Sequence, residues 1–131
     1  MLAPRVPKKG GVAMRNAEHP VDLDHLNRYT GGDAALNQEI LQLFDNQCRE
    51  MVAKLEELAR QEDIGGRSWR ELTHTLKGAA RGVGAFALAD VAAEAEKLST
   101  DKLAAIEAVH RLKGKSCAVQ LFIEELLRHE A

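Results

Sequence analysis

All three prolines of this 131-residue chain, Pro4, Pro7 and Pro20, lie within its first twenty residues. A proline inside a helix removes a backbone hydrogen bond and clashes with the preceding turn, so it breaks or kinks the helix. After residue 20 there is no proline, and glycines separate segments whose apolar residues recur at helical spacing. No convincing strand pattern competes, so this part of the chain is predicted to fold as a series of helices.

Two helices are predicted in the first half of the chain. A short helix over Asp22–Tyr29 ends at Gly31-Gly32. Asp33 is a favourable N-cap for a long second helix, which ends at Gly65-Gly66, because its carboxylate can accept a free backbone N–H. This helix carries an apolar stripe at three- and four-residue spacing, made of Ile40, Leu41, Phe44, Cys48, Met51, Val52, Leu55 and Leu58. Cys48 lies within the stripe, so we expect a small buried side chain rather than a nucleophile.

Three further helices are predicted in the second half. Ser68 followed three residues later by Glu71 matches a capping box, and the third helix runs from there to about Val83. A fourth, alanine-rich helix has its apolar stripe at Phe86, Leu88, Val91, Ala92, Ala95 and Leu98. Ser99-Thr100-Asp101 supplies the cap of the last helix, which covers about Lys102–Arg128.

A short helix followed by four longer ones with short connections predicts an all-α fold, an antiparallel up-down four-helix bundle with a short N-terminal capping helix. We assign this bundle domain to residues 21–131. Residues 1–20 carry four basic side chains against one acid, Glu18, a net charge of +3. We expect them to form a flexible basic tail.

Composition excludes several classes of protein. A length of 131 residues fits about one domain, and aromatic residues make up only 4%, so the core must be mainly aliphatic. No apolar run approaches the roughly 20 residues that span a bilayer, and no secretory apolar segment follows Met1, so we expect a cytoplasmic protein that does not enter membranes. The net charge of −2 argues against nucleic-acid binding. Cys48 and Cys117 lie too far apart for a C-x-x-C zinc or redox motif.

The third helix carries the residues with chemical potential. With Trp69 as the origin and about 100° per residue, one arc is apolar and faces the core; it contains Trp69, Leu72, Thr73, Leu76, Ala79, Ala80 and Val83. The opposite face carries Arg70, His74, Lys77, Gly78 and Arg81. His74 is therefore predicted to be exposed in mid-helix among basic side chains.

Gly78 is the anomaly on this face, because a glycine inside a helix costs up to about 1 kcal/mol relative to alanine. It lies four residues after His74, directly beside the imidazole, so its missing side chain opens access to the ring. A neutral imidazole is a nucleophile, and Lys or Arg side chains can neutralise a transferring phosphoryl group. The histidine, the missing side chain at Gly78 and the cations together indicate a phosphate-accepting site. The alternative is that this face of the helix is only solvated, which is the usual meaning of basic residues alone.

The string from His74 to Leu88 resembles the histidine phosphotransfer (HPt) family of two-component phosphorelays. The family pattern is His-x-Leu-Lys-Gly, then Gly ten residues and Leu fourteen residues after the His, and the chain matches it at His74, Leu76, Lys77, Gly78, Gly84 and Leu88. Val21-Asp22-Leu23, Gly31-Gly32-Asp33 and Leu41-x-x-Phe44 are also similar to the usual approach to this domain. The resemblance covers about residues 21–99. One departure is Ala95-Glu96, where many members have Leu-Glu.

The resemblance implies that His74 is phosphorylated through Nε2, that Lys77 steadies the phosphoryl oxygens and that Gly78 lets the partner approach. Arg81 and Arg70 would support the phosphate or contact the partner. Donor and acceptor would be receiver domains of hybrid histidine kinases and response regulators, with Mg²⁺ held in the receiver's acidic pocket and no cofactor or metal bound by this chain. The protein would be a monomeric relay intermediate.

A sensor-kinase interpretation fails, because there is no Gly-rich nucleotide loop and Thr75 follows His74 where those kinases have an acid. Three alternatives stay open at this point. The chain could be the phosphate-accepting domain of a chemotaxis-type kinase, or a helical adaptor that binds receivers without taking phosphate. A metal site on His19, His25, His110 or His129 is the third, although their spacing fits no zinc pattern.

Overall fold

The computed structural model describes residues 19–61, 66–98 and 101–130. It contains five helices, α1 (Leu23–Thr30), α2 (Ala34–Arg60), α3 (Arg67–Val83), α4 (Phe86–Glu96) and α5 (Lys102–Glu130), and no strand within those ranges. The prediction of an all-helical protein is confirmed. Residues 1–18 of the predicted tail, together with Gly65, Ser99 and Thr100, lie outside the described residues.

Aspartates and a glycine set several helix ends, and those at Gly31, Asp33 and Asp101 agree with the sequence prediction. The Asp22 carboxylate accepts a hydrogen bond from the His25 N–H at 3.3 Å and begins α1, which ends at Gly31 in the left-handed conformation (φ 70°). Asp33 accepts from the Leu36 N–H at 3.1 Å at the start of α2. Asp101 accepts from the Ala104 N–H at 3.1 Å at the start of α5.

The predicted capping box at Ser68 is wrong. The N-cap of helix α3 is Gly66, two residues before the predicted cap, and the helix begins at Arg67 with no side-chain capping bond. The Glu71 carboxylate, which a capping box would need, instead accepts a hydrogen bond from Arg67 Nε at 3.0 Å. An i,i+4 ion pair has replaced the capping interaction. Helix α2 also ends earlier than predicted, at Arg60.

The four longer helices surround one aliphatic core. Helix α2 packs against α3 and α5, helix α4 packs against the same two helices, and α1 contacts α2 and α3. The largest fully buried side chains are Trp69, Leu41, Leu55, Leu76, Leu88, Leu112, Val21, Thr73 and Cys48. Burial of Cys48 is therefore confirmed. Burial also raises the pKa of its thiol, which keeps it protonated and unreactive.

A single buried hydrogen bond joins α3 to α4. The indole Nε1–H of Trp69 donates to the carbonyl oxygen of Ala95 at 2.8 Å, and both residues are buried. A buried indole N–H without an acceptor would be costly, so this bond favours one position of α4 along α3. Only Gly84 and Ala85 connect the two helices. The position of the C-terminal end of α4 is thereby defined relative to the first turn of α3.

Gly84 allows α1 to dock against the end of α3. It has φ 91°, and its carbonyl accepts a hydrogen bond from the Asp22 N–H at 2.9 Å. A Cβ at this position would lie 2.7 Å from the Asp22 carbonyl oxygen. Backbone conformation and close approach therefore both require glycine here.

None of the five helices is long and apolar enough to cross a membrane, within the residues that the structure describes.

We predict that Gly84→Ala lowers the free energy of unfolding by about 2 kcal/mol or more, since the left-handed conformation alone costs a side-chain-bearing residue roughly 1–2 kcal/mol. Urea denaturation measures the loss. The matched control is Gly114→Ala in α5, where a Cβ meets no heavy atom within 4 Å. That change should raise stability by up to about 1 kcal/mol. A Gly84→Ala protein as stable as wild type would show that the contact with Asp22 relaxes freely.

Candidate functional site

The two faces predicted for α3 are present in the structure. Trp69, Thr73, Leu76, Ala80 and Val83 are buried, while Leu72 and Ala79 are partly buried. On the other face Arg70, His74, Gly78 and Arg81 are exposed, and the side chain of His74 is 67% accessible. The imidazole is therefore open to a partner in mid-helix.

The backbone beneath His74 is firmly held. The hydroxyl of the preceding residue, Thr73, is fully buried and donates to the carbonyl of Trp69 at 2.9 Å. Trp69 is in turn bonded to Ala95, so the turn that carries His74 is anchored in the core. An exposed side chain on an anchored turn can present one atom to a partner at little entropic cost.

Glu96, the last residue of α4, lies directly against His74. Its Oε2 is 2.9 Å from His74 Nδ1, and its Oε1 accepts a hydrogen bond from Lys77 Nζ at 2.6 Å. One carboxylate therefore bonds both the imidazole and the ammonium group. We expected only cations around His74; the structure adds an anion as its direct partner.

This contact defines the chemistry of the ring. An ionised carboxylate can only accept hydrogen bonds, so the Nδ1 atom that faces it must carry a proton. In the neutral imidazole the lone pair is then on Nε2. The arrangement leaves Nε2 as the nucleophilic atom of the exposed ring.

Lys77 is placed differently from the expectation. It was predicted to share the open face with His74, but its side chain is only 20% accessible and is paired with Glu96. The Lys77 ammonium, and after it His74, hold the pKa of the Glu96 carboxyl below its ordinary value of 4.5. Glu96 is therefore ionised at neutral pH, as the proton on Nδ1 requires.

Sequence reasoning missed the role of Glu96. The Ala95-Glu96 pair was noted only as a departure from the family pattern, and no partner was assigned to its carboxylate. The sequence did offer a signal, because Glu96 matches the Glu of the family's Leu-Glu pair and the helix that carries His74 is basic. What the sequence lacked was the register between α3 and α4, since 22 residues separate Glu96 from His74.

Gly78 has no structural reason to be glycine. A Cβ built on it meets nothing within 4 Å, and its φ lies outside the left-handed region. Neither packing nor backbone conformation requires the missing side chain, although it weakens the helix. Within the described residues, no packing contact offsets this loss of helix stability.

Arg70 and Arg81 extend the basic character of this face. Both are exposed, and neither forms an ion pair with another part of the chain that the structure describes. By contrast Arg67 is paired with Glu71. The two free guanidinium groups lie on either side of His74 along α3 and can attract an anionic partner.

Three cavities lie apart from this site. They have volumes of about 290, 250 and 420 Å³ and lie along the seam between α2 and α5, and His74 lines none of the three. Within the described ranges there is also no group of three or more His, Cys, Asp or Glu side chains able to hold a metal ion. The histidine site is an open surface, which suits a macromolecular partner better than a small enclosed substrate.

We predict that Lys77→Met raises the pKa of Glu96, because the Lys77 ammonium is the main cause of its lowering. A ¹³C NMR titration of the Glu96 carboxyl measures the midpoint, and His74→Gln should raise it less. An unchanged midpoint in Lys77→Met would contradict the ion pair.

The same shift predicts a pH-dependent contribution to stability. The folded-state pKa is depressed, so the contribution is complete above the ordinary value of 4.5 and is lost as the pH falls through the lowered pKa. Wild type should therefore be more stable than Glu96→Gln near neutral pH in urea denaturation, and the difference should shrink in acid.

Comparison with known protein families supports the resemblance. No curated protein and no solved structure matches the chain significantly. Residues 39–105, about half of the chain, match the family model of the Hpt domain. That segment holds His74, Lys77, Gly78 and Glu96, and it spans α3 and α4 completely. The chain therefore belongs to the Hpt domain family, whose members transfer phosphoryl groups through histidine in two-component signalling.

Proposed function

We propose that this chain accepts a phosphoryl group on His74 from the phosphoaspartate of one receiver domain and passes it to the aspartate of another. One observation carries the proposal: His74 is the only histidine in the segment that matches the Hpt domain, and its side chain is 67% accessible. A histidine that exchanges phosphate with a protein partner has to be open in this way.

The transfer requires a lone pair on Nε2 and a proton on Nδ1. The Nε2 lone pair attacks the phosphorus of the aspartyl phosphate; the new N–P bond forms, the aspartyl O–P bond breaks, and its electron pair leaves with the carboxylate. The Nδ1 proton stays in place and the ring becomes positively charged. In the onward step the N–P bond breaks, its electron pair returns to Nε2, and a new O–P bond forms on the second receiver.

Glu96 supports both steps in this proposal. Its bond to Nδ1 at 2.9 Å favours the tautomer that attacks, and its negative charge stabilises the ring once Nε2 carries phosphorus. Lys77 holds the same carboxylate at 2.6 Å. A phosphoryl group on Nε2 would compete with Glu96 for this ammonium, which is how Lys77 would steady the phosphoryl oxygens.

Arg70, Arg81 and Gly78 act toward the partner in this scheme. The free guanidinium groups of Arg70 and Arg81 would attract the acidic, phosphorylated site of a receiver. The missing side chain of Gly78 would let that site reach Nε2. Partners are receiver domains of hybrid histidine kinases and response regulators, and Mg²⁺ belongs to the receiver, with no cofactor bound by this chain.

We also propose that the protein is monomeric, that it is cytoplasmic, and that it folds as an antiparallel up-down bundle. Contacts between α2 and α5 support the antiparallel order: Arg60 with Lys102, Glu56 with Lys113 and Cys48 with Ser116. Residue numbers fall along one helix as they rise along the other. A single copy buries its own aliphatic core, so the proposal needs no second copy.

We predict that wild type incubated with a phosphorylated receiver and Mg²⁺ gains an acid-labile, base-stable phosphate, and that His74→Gln does not. Radiolabel from the receiver, followed on gels, measures transfer. The control is His110→Gln, which removes another exposed histidine on α5 and should leave labelling unchanged. Label on His74→Gln would show that another residue is phosphorylated. If wild type binds the receiver but gains no label, the protein is an adaptor that takes no phosphate. ATP alone should give no label; if it does, the chain has kinase activity.

We predict that Gly78→Leu slows transfer on the order of 100-fold, since a displacement of about 1 Å between reacting groups can cost that much. The thermal melt should be unchanged or slightly higher, because leucine is the better helix former. Gly114→Leu, another helical glycine with open space around it, should transfer at the wild-type rate. Loss of the helical fold in Gly78→Leu would show that this glycine is structural instead.

A further inference from the structure

We propose that the docked receiver extends from His74 toward the C-terminal end of α3 and covers an aromatic patch formed by His25, Tyr29 and Phe86. This inference rests on the phosphotransfer proposed above and adds the direction in which the partner lies. It also assigns contact residues outside α3, which the sequence could not name.

The rings of the aromatic patch contact one another, and two of them are exposed to solvent. The His25 ring lies between the two others, with ring centroids 5.4 Å from Tyr29 and 5.1 Å from Phe86, both in edge-to-face geometry. Tyr29 is nevertheless 73% exposed and Phe86 38% exposed. Ordered aromatic side chains that remain open to water are typical of the residues that contribute most to protein interfaces.

The patch is joined to the end of α3. Asp22, the N-cap of α1, donates its backbone N–H to Gly84, and His25 follows one turn later. Phe86 begins α4 only two residues after Gly84. Residues from α1 and α4 therefore meet at the terminus of the helix that carries His74.

The distances suit a single interface. A standard protein interface buries about 800 Å² on each partner, which corresponds to a patch of roughly 16 Å radius. Gly82 lies eight residues after His74, about 12 Å along the helix axis. A receiver placed over His74 and displaced toward Gly84 would reach the aromatic patch with its edge.

The surface between His74 and the aromatic patch lacks side chains at two glycines and carries a basic residue. Gly78 and Gly82 are both exposed, and a Cβ on either would meet nothing within 4 Å. Arg81, beside Gly82, forms no ion pair with the described residues and complements the negative charge of a phosphorylated receiver. Continuity with the phosphate-accepting histidine, together with this charge complementarity, identifies the receiver as the occupant.

The opposite direction along α3 is less suitable. There the first turn of α3 carries the exposed Arg67–Glu71 ion pair, which a partner would have to desolvate. The exposed apolar residue nearest to that end of the bundle is Leu103, at the start of α5, where Lys102 contacts Arg60. Leu103 is 79% exposed and so offers a matched control for Tyr29.

The test compares the two ends of the bundle. Tyr29→Ala and Gly82→Leu should each lower the rate of transfer from a phosphorylated receiver about tenfold, measured at receiver concentrations below saturation. Leu103→Ala and Gly114→Leu should keep the wild-type rate. Thermal melts of all four variants establish that they are folded. The receiver is one that labels wild type, phosphorylated with acetyl phosphate in the presence of Mg²⁺.

Phosphoramidate separates docking from chemistry, because this small donor transfers its phosphoryl group to imidazole without a protein interface. All four variants should be labelled by it at the wild-type rate. Equal receiver rates for Tyr29→Ala, Gly82→Leu and wild type would overturn the footprint while leaving the proposed function intact, and slow transfer in Leu103→Ala would place the partner at the other end. If no receiver labels wild type, the proposed function fails and the footprint fails with it.

Discussion

The hydrogen bond from the Trp69 indole to the Ala95 carbonyl, 2.8 Å long and buried, holds the two helices of the candidate site in register. Because Ala95 immediately precedes Glu96, the contact that closes the core also positions the carboxylate on the surface. The Trp69 carbonyl also accepts a hydrogen bond from the Thr73 hydroxyl, so the same residue supports the turn that carries His74. The surface chemistry of this protein therefore depends on a core interaction one helical turn below it.

The site combines one anion with several cations, and the anion is the closer partner of the imidazole. Glu96 bonds Nδ1 and Lys77 together, which leaves Nε2 as the free nucleophilic atom. The guanidinium groups of Arg70 and Arg81 remain available to a partner. The charges that contact the ring are thus paired within the protein, whereas the two guanidinium groups assigned to the partner in the proposal are unpaired among the described residues.

The glycines in and just after α3 differ in whether the structure requires them. Gly84 is required inside the molecule, by its left-handed backbone and by the approach of Asp22. Gly78 and Gly82 are required by nothing inside it, since a Cβ on either would meet open space. In the function proposed above, Gly78 and Gly82 lie where the partner docks, at a cost in helix stability.

The sequence by itself determined the helical class, the exposed face that carries His74, and the caps at Asp33 and Asp101. These features depend on residues within about four positions of one another, which periodicity and side-chain chemistry reveal directly. The local rule failed at Ser68, where Arg67 competes for Glu71. Only the tertiary structure decided that Glu96 meets His74, that Lys77 is held away from solvent, and that an aromatic patch stands at the end of α3. Those contacts join residues on different helices, and their register is set by how the side chains of the core pack.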